Sequence, residues 1–284
     1  MSLLWNSALR LRVEPRSVSA AMRTGWPAQR RFAAMAGSMA RLAPATPLAG
    51  ATPIDPDLLE SVLLELAVEA PLRGARMHVE VADELVHFDV VEGDFAAQSD
   101  RQLQSIAVAC VAELLGDAAA GHDVRWSLQA GERHLLIAAL PRSLVDLLEA
   151  AAARHGVVLK SVQPAFATSW NAFMRGRDDA PAVFASTSGW HALVSCVVDG
   201  AVRAVSSGPW QDSGSAAAND AKATGFAASA DRGAARLDER AARLIASAGI
   251  AGARDAGFLV VGADPSAVAT SPGWTAVAAP ELAP

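Results

Sequence analysis

The sequence predicts an α/β protein of two halves that share the element order βββαβ, with an αββαβ unit inserted between them. Three observations carry this. Short runs of alternating apolar residues open the chain, a well-capped amphipathic helix follows them, and the same succession returns after residue 164. The expected units are residues 1–98 for the first half, 99–163 for the insertion and 164–284 for the second half.

The first strand is marked by Leu9, Leu11 and Val13, which alternate with Arg10 and Arg12 at the period of a half-buried strand. After the break Glu14-Pro15-Arg16-Ser17 the alternation resumes at Val18, Ala20 and Met22. "RRFAAMAG", Arg30 to Gly37, supplies a third strand, and the Pro-, Ala- and Thr-rich stretch Ala43 to Pro53 reads as a connection. Asp55 then caps a helix whose first position is Pro56 and whose apolar stripe is Leu59, Val62, Leu63 and Leu66. Met77, Val79 and Val81 begin the next strand, and Glu84 to Val91 is expected to pair with it across a turn at Asp83.

In the inserted unit Ser99 and Gln102 have capping-box spacing, and Leu103, Ile106, Cys110, Val111 and Leu114 are expected on one helical face, ended by Gly116. A strand around Val124, Trp126 and Leu128, the apolar run "HLLIAAL", a helix from Pro141 to Gly156 and the strand "VVLKSVQP" complete it. The second half opens with a short helix, Phe166 to Met174. Strands follow at Val183–Ala185, Trp190–Val198 and Ala201–Ser206. Residues from about 207 to 230 are expected to form a flexible loop. A helix striped by Leu237, Ala241, Leu244 and Ile245 and the strand in "GFLVVGADP" close the repeat. Asp199-Gly200 is a type I′ hairpin signal.

Composition bounds the function. Hydrophobic residues make up 52% of the 284-residue chain and charged residues 19%, enough to bury a large core. The net charge of -6 argues against a nucleic-acid partner, which needs a cationic field. Nearly all of the 24 basic residues are arginine, seven of them among the first 41 residues (Arg10, Arg12, Arg16, Arg23, Arg30, Arg31, Arg41), where solvated strand faces account for them. Cys110 and Cys196 lie in apolar stretches and read as buried thiols of a reducing compartment. Arg10 and Arg12 interrupt the N-terminal apolar run, and no window reaches the ~18 apolar residues of a membrane span, so a cytoplasmic protein is expected.

The six histidines lack metal-ligand spacing, so no metal is expected. Asp83-Glu84 and Asp178-Asp179 are adjacent carboxylates at turns and read as solvated. Trp5, Trp210 and Trp274 lie in segments expected to be irregular, where aromatic side chains suit either partner contacts or core filling.

"LLIAALPRSLVDLLEAAAARHGVVLKSVQPAFATSWNAF", Leu135 to Phe173, resembles the corresponding segment of the PilM/GspL-like platform proteins of type IV pilus assembly and type II secretion. Gln163-Pro164 and Asn171 match that family's arrangement, and "RMHVEVADELVHFDVV" looks like its paired strands. The resemblance implies the actin-like (ribonuclease-H-like) ATPase fold and a cytoplasmic place beside the inner membrane, held there by a partner. The chain closes on "APELAP" without the membrane span that follows in GspL-like proteins, which implies a PilM-like arrangement.

Such a fold implies an acid, a Gly and a hydroxyl in the first turn of each half, where carboxylates hold Mg²⁺ and small-residue N–H groups cradle phosphates. Here the first turn is Glu14-Pro15-Arg16-Ser17, with no Gly and one donor removed by Pro15. The second is Ser186-Thr187-Ser188-Gly189, with no carboxylate, and the adenosine-side glycine pair is reduced to Gly262. These losses point to a non-catalytic scaffold for a protein partner, without a cofactor. The alternative is an ATP-binding protein with Mg and divergent loops, which would use Glu14, Ser186, Thr187, Gly189 and Gly262.

Overall fold

The computed structural model describes residues 7–23, 31–37, 54–173, 182–188, 191–209, 224–247, 257–261 and 274–277. The first half contains β1 (Ala8–Glu14), β2 (Ser17–Arg23), β3 (Arg31–Gly37), α1 (Pro56–Glu69) and β4 (Arg76–Val81). Leu9, Leu11 and Val13 of β1 and Val18 and Met22 of β2 are fully buried, as the alternation requires. They pack against Leu59, Val62, Leu63 and Leu66 of α1. The Asp55 carboxylate accepts the Asp57 N–H at 3.0 Å and Pro56 occupies the next position, so the helix start follows its sequence signals. Asp55→Ala removes that acceptor and is expected to cost about 1 kcal/mol, read as a lowered urea midpoint with unchanged slope.

The chain then leaves the first half for a separate three-stranded unit. It contains β5 (His87–Glu92), α2 (Asp100–Leu115), β6 (His122–Leu128) and β7 (His134–Pro141), in the antiparallel order β5-β7-β6. β5 was expected beside β4. It pairs with β7 instead, because a 3₁₀ turn at Asp83–Leu85 redirects the chain out of the first sheet. Gln102 Oε1 accepts both the Ser99 N–H and its hydroxyl at the start of α2. Leu103, Ala107 and Val111 are the buried stripe of α2, whereas Leu114 is 55% exposed at the helix end.

The helix spanning Asp100–Gly121 is long and apolar enough to cross a membrane by length and composition. Its buried stripe nevertheless packs on the three-stranded sheet in a core with Val124, Leu135 and Ile137. Gln104 also ties it to β6, accepting the Trp126 Nε1–H at 3.0 Å.

From β7 the chain returns to the first half through α3 (Arg142–His155) and β8 (Val158–Pro164). These two elements were expected to belong to the inserted unit. β8 pairs in parallel with β4, and Leu144, Leu148 and Ala151 of α3 join the first core. Arg154 and His155 of α3 both contact the Glu60 carboxylate of α1, at 3.0 and 2.9 Å. The αβ pair following the three-stranded unit thus completes the first sheet, in the order β3-β2-β1-β4-β8. Gly156 ends α3 in the left-handed conformation, φ 65°.

Helix α4 (Ala165–Phe173) leads into the second half, which consists of β9 (Ala182–Ser188), β10 (His191–Val198), β11 (Ala201–Pro209), α5 (Thr224–Ser247), β12 (Gly257–Val261) and β13 (Trp274–Val277). Its sheet order is β11-β10-β9-β12-β13. In both sheets an antiparallel meander of three strands is followed by two strands parallel to the first. The duplication suggested by the sequence pattern is therefore present in the topology. β13 was not expected, and it places Trp274 in a strand. The expected loop at 207–230 is shortened at both ends, because β11 extends to Pro209 and α5 begins at Thr224. Asp199 and Gly200 have φ 54° and 70°, the hairpin geometry read from the sequence.

β10 is buried from His191 to Val197, so both of its faces are covered. Ala192, Val194 and Cys196 pack with Leu237, Ala241 and Leu244 of α5. Leu193 faces the other way, into a cluster with Phe166, Phe184 and Val202 that also receives Phe88, Val90 and Leu136 from the three-stranded unit. This aromatic cluster is where the second half, α4 and the three-stranded unit meet.

Candidate functional site

β1, β4 and β8 run parallel, so Glu14, Asp83 and Pro164 all lie at or just beyond the same end of the first sheet. Outside the carboxyl ends of parallel strands is where α/β folds place their ligands. Glu14 is the last residue of β1, and only Pro15 and Arg16 separate it from β2. Its carboxylate accepts the Ser17 hydroxyl at 2.8 Å and lies 3.2 Å from Arg12 Nε. Arg12 also approaches Glu80 of β4, at 3.7 Å. The Glu14 carboxylate is therefore engaged within its own hairpin.

Ser186 and Thr187 were expected in an open turn. Both are buried and lie inside β9, where they pair with Leu193 and Ala192 of β10. Ser186 is flanked on its other side by Val261 of β12, so its backbone is part of a ladder rather than an open cradle. The strand extends this far because Ser188 pairs directly with His191. Gly189 and Gly262 lie outside the described residues, as do Trp5, Trp26, Trp190, Trp210, Asp178 and Asp179.

What the structure brings to this place is Asp83, the residue read as a solvated turn carboxylate. It is 1% exposed. One carboxylate oxygen accepts the backbone N–H of Phe166, in the first turn of α4, at 2.8 Å. The other accepts the Ser186 hydroxyl at 2.7 Å. A single side chain thus joins the end of β4, the helix linking the halves and the first strand of the second half. Burial pushes its pKa up to about 6 against the opposing effect of those two hydrogen bonds. Glu84 beside it is pushed to about 7, by burial first and then by Glu14, with Arg16 opposing. Glu84 Oε2 is buried without a hydrogen-bond partner. Glu80 is also raised by burial, with Arg12 pulling the other way.

The sequence carried a signal for Asp83 in its position. The alternation Met77, Val79, Val81 runs up to it, so it stands at the carboxyl end of a parallel strand, the end at which α/β folds place functional acids. Its burial depended on Phe166 and Ser186, 83 and 103 residues further along.

Other histidines and the cysteines have structural settings. His78 Nδ1 is 2.9 Å from the Ser161 hydroxyl, and His87 and His122 meet edge to face at 5.5 Å. His191 is buried, which lowers its pKa to about 4 with Arg240 adding to the effect. Cys196 is buried and its thiol is pushed to about 11, whereas Cys110 is half-buried. No group of three His, Cys, Asp or Glu side chains among the described residues is placed to hold a metal ion. Trp170 stacks on Phe166 at 6.0 Å and meets Phe184 edge-on, so it fills core.

No family model matches the chain, and no curated protein matches it in sequence. Among solved structures, the cytoplasmic domain of EpsL, an inner-membrane component of the type II secretion system of Vibrio cholerae, gives a TM-score of 0.47 at 14% identity, covering 76% of each chain. The ethanolamine utilization protein EutJ from Carboxydothermus hydrogenoformans gives 0.46 at 9% identity, over 96% of this chain and 84% of that one. A chain of the PilM-PilN type IV pilus biogenesis complex gives 0.60 at 14% identity, over 95% of this chain and 88% of that one. With two sheets of matching order and this likeness along nearly its whole length, the chain has the actin-like fold.

Proposed function

We propose that the chain is a non-catalytic actin-like scaffold that binds a protein partner in an inner-membrane platform of a type IV pilus or type II secretion system. The observation that carries this reading is the state of the two places where the fold would hold phosphate. The first turn offers Pro15 and Arg16 in place of small donors, with its one acid engaged by Ser17 and Arg12. In the second, Ser186 is a strand residue whose hydroxyl is given to Asp83. Four carboxylates, Glu14, Glu80, Asp83 and Glu84, lie at the same end of the first sheet, and those that are ionised oppose a polyphosphate anion. Likeness to a chain of the PilM-PilN complex favours protein recognition over turnover as the use of the fold.

Titration with ATP, with and without Mg²⁺, followed by tryptophan fluorescence and calorimetry, tests the non-catalytic part. The expected result is no saturable binding up to about 1 mM, a threshold of ~-4 kcal/mol. Saturation at micromolar ATP overturns it in favour of an ATP-binding protein with divergent loops. Capture of a defined pilus or secretion component from membranes by the tagged chain, lost when the component's cytoplasmic segment is deleted, tests the partner role.

A further inference from the structure

We propose that the Asp83 carboxyl is a proton-sensitive latch between the two halves, holding the junction of the β4 end with α4 and β9 most firmly in its neutral form. The geometry provides for both protonation states. In the neutral form one oxygen carries a proton and donates it to Ser186 Oγ, while the carbonyl oxygen accepts the Phe166 N–H, so both contacts of the carboxyl are kept. When ionised, both oxygens accept, as the observed donors Phe166 N–H and Ser186 O–H allow, but a full charge then lies buried.

The surroundings make that charge costly. Glu80 comes from β4 and Glu84 from the same turn, and both are carboxylates. β1 brings Arg12, which favours the charged form, together with Glu14. β9 and α4, which supply the two hydrogen bonds, carry no titratable side chain. β10 packs against the same turn and brings His191 and Cys196 as its titratable groups. The raised pKa of Asp83, about 6, agrees with this arrangement. Losing the proton weakens a junction made by one side chain, while the cores of the two halves, on Leu9, Leu11 and Leu63 and on Val194 and Leu237, do not depend on it. The latch is independent of whether the chain binds a partner.

Amide hydrogen exchange on the full chain tests it, with protection factors corrected for the intrinsic effect of pH. In the unmodified protein, protection of the Phe166 amide and of the β9 amides is expected to fall several-fold between about pH 5 and about pH 8. Asp83→Asn keeps the shape and a donor–acceptor pair without a charge, and its protection is expected to fall clearly less over that range, with only the slope that Glu84 supplies remaining. Asp83→Ala is expected to lose roughly tenfold at the same amides at the lower pH, with recovery on adding formate but not chloride. Amides of α1 and α3 serve as the internal control and are expected to be unchanged.

An equal fall with pH in Asp83→Asn overturns the latch. So does a wild-type profile that is flat, or a loss in Asp83→Ala that spreads evenly to α1 and α3. If Asp83→Ala does not fold, the comparison of wild type with Asp83→Asn decides alone.

Discussion

Phe184→Ala is expected to lower the free energy of unfolding by about 3–5 kcal/mol, the range for emptying a fully enclosed aromatic site. Phe184 is completely buried on the central strand of the second sheet. Its ring lies 5.9 Å from Phe166 and 6.0 Å from Trp170, both edge to face, and Phe166 in turn meets Phe88 at 5.7 Å. Those partners come from α4 and from β5 of the three-stranded unit, so one truncation loosens the second half, α4 and that unit together. Edge-to-face pairs add about 0.5–1.5 kcal/mol to area burial, which puts the loss toward the upper end of the range.

Urea unfolding followed by far-ultraviolet circular dichroism and by tryptophan fluorescence checks this. The expected result is a large drop in midpoint, with the fluorescence transition moving at least as far as the dichroism transition. A loss below about 1 kcal/mol would mean that the cluster does not hold the units together. Val194→Ala, in the separate core between β10 and α5, is the comparison, since it leaves the three-way junction intact.

Elements set by local chemistry were legible in the sequence, and elements set by long-range pairing were not. The alternation Leu9-Leu11-Val13, the Asp55-Pro56 helix start, the Gly156 stop and the Asp199-Gly200 hairpin each depend on a few neighbouring residues, and each is where the pattern put it. The assignment of α3 and β8 failed because their character as helix and strand says nothing about which sheet receives them. Only the parallel pairing of Arg76–Val81 with Val158–Pro164, far apart in the chain, decides that. The same limit applied to β5, whose apolar residues would fit beside β4 or β7 equally well.

The candidate site divided in the same way. Loss of the glycine and acid from the two turns was plain in the sequence, since it concerns residue types at fixed places. That Ser186 is a strand residue, and that its hydroxyl is spent on an acid in the other half, was not. Asp83 looked like a solvated turn because turn acids usually are, and its burial comes from three elements closing over it.

The buried acids give a second large expectation, that stability falls as pH rises from about 4 to about 7. Asp83 binds its proton more tightly folded, with a pKa of about 6, than unfolded, where 3.8 applies. Its contribution is therefore complete below the unfolded value and is lost as pH rises through the folded one, an amount of about 3 kcal/mol at most. Glu84, with a folded pKa of about 7 against 4.5, acts with the same sign over a window reaching higher. It is less enclosed than Asp83, so solvent screening reduces its share to a fraction of that amount. Glu60, whose pKa is lowered by Arg154 and His155 against the opposing effect of its own desolvation, has the opposite sign and loses its contribution as pH falls. The wild-type profile alone therefore mixes two trends.

The difference between wild type and the double variant Asp83→Asn, Glu84→Gln separates them, because Glu60 is common to both. The variant is expected to match wild type near pH 4 and to exceed it by about 2–4 kcal/mol near pH 8. At the higher pH it removes two unfavourable buried charges, while the amide introduced in place of the Asp83 carboxyl still accepts from Phe166 and donates to Ser186. Urea midpoints across that range measure the difference. If wild type is instead the more stable at pH 8, then the carboxylates are better solvated or better paired than this junction allows, and the charge they carry is part of what holds the halves together.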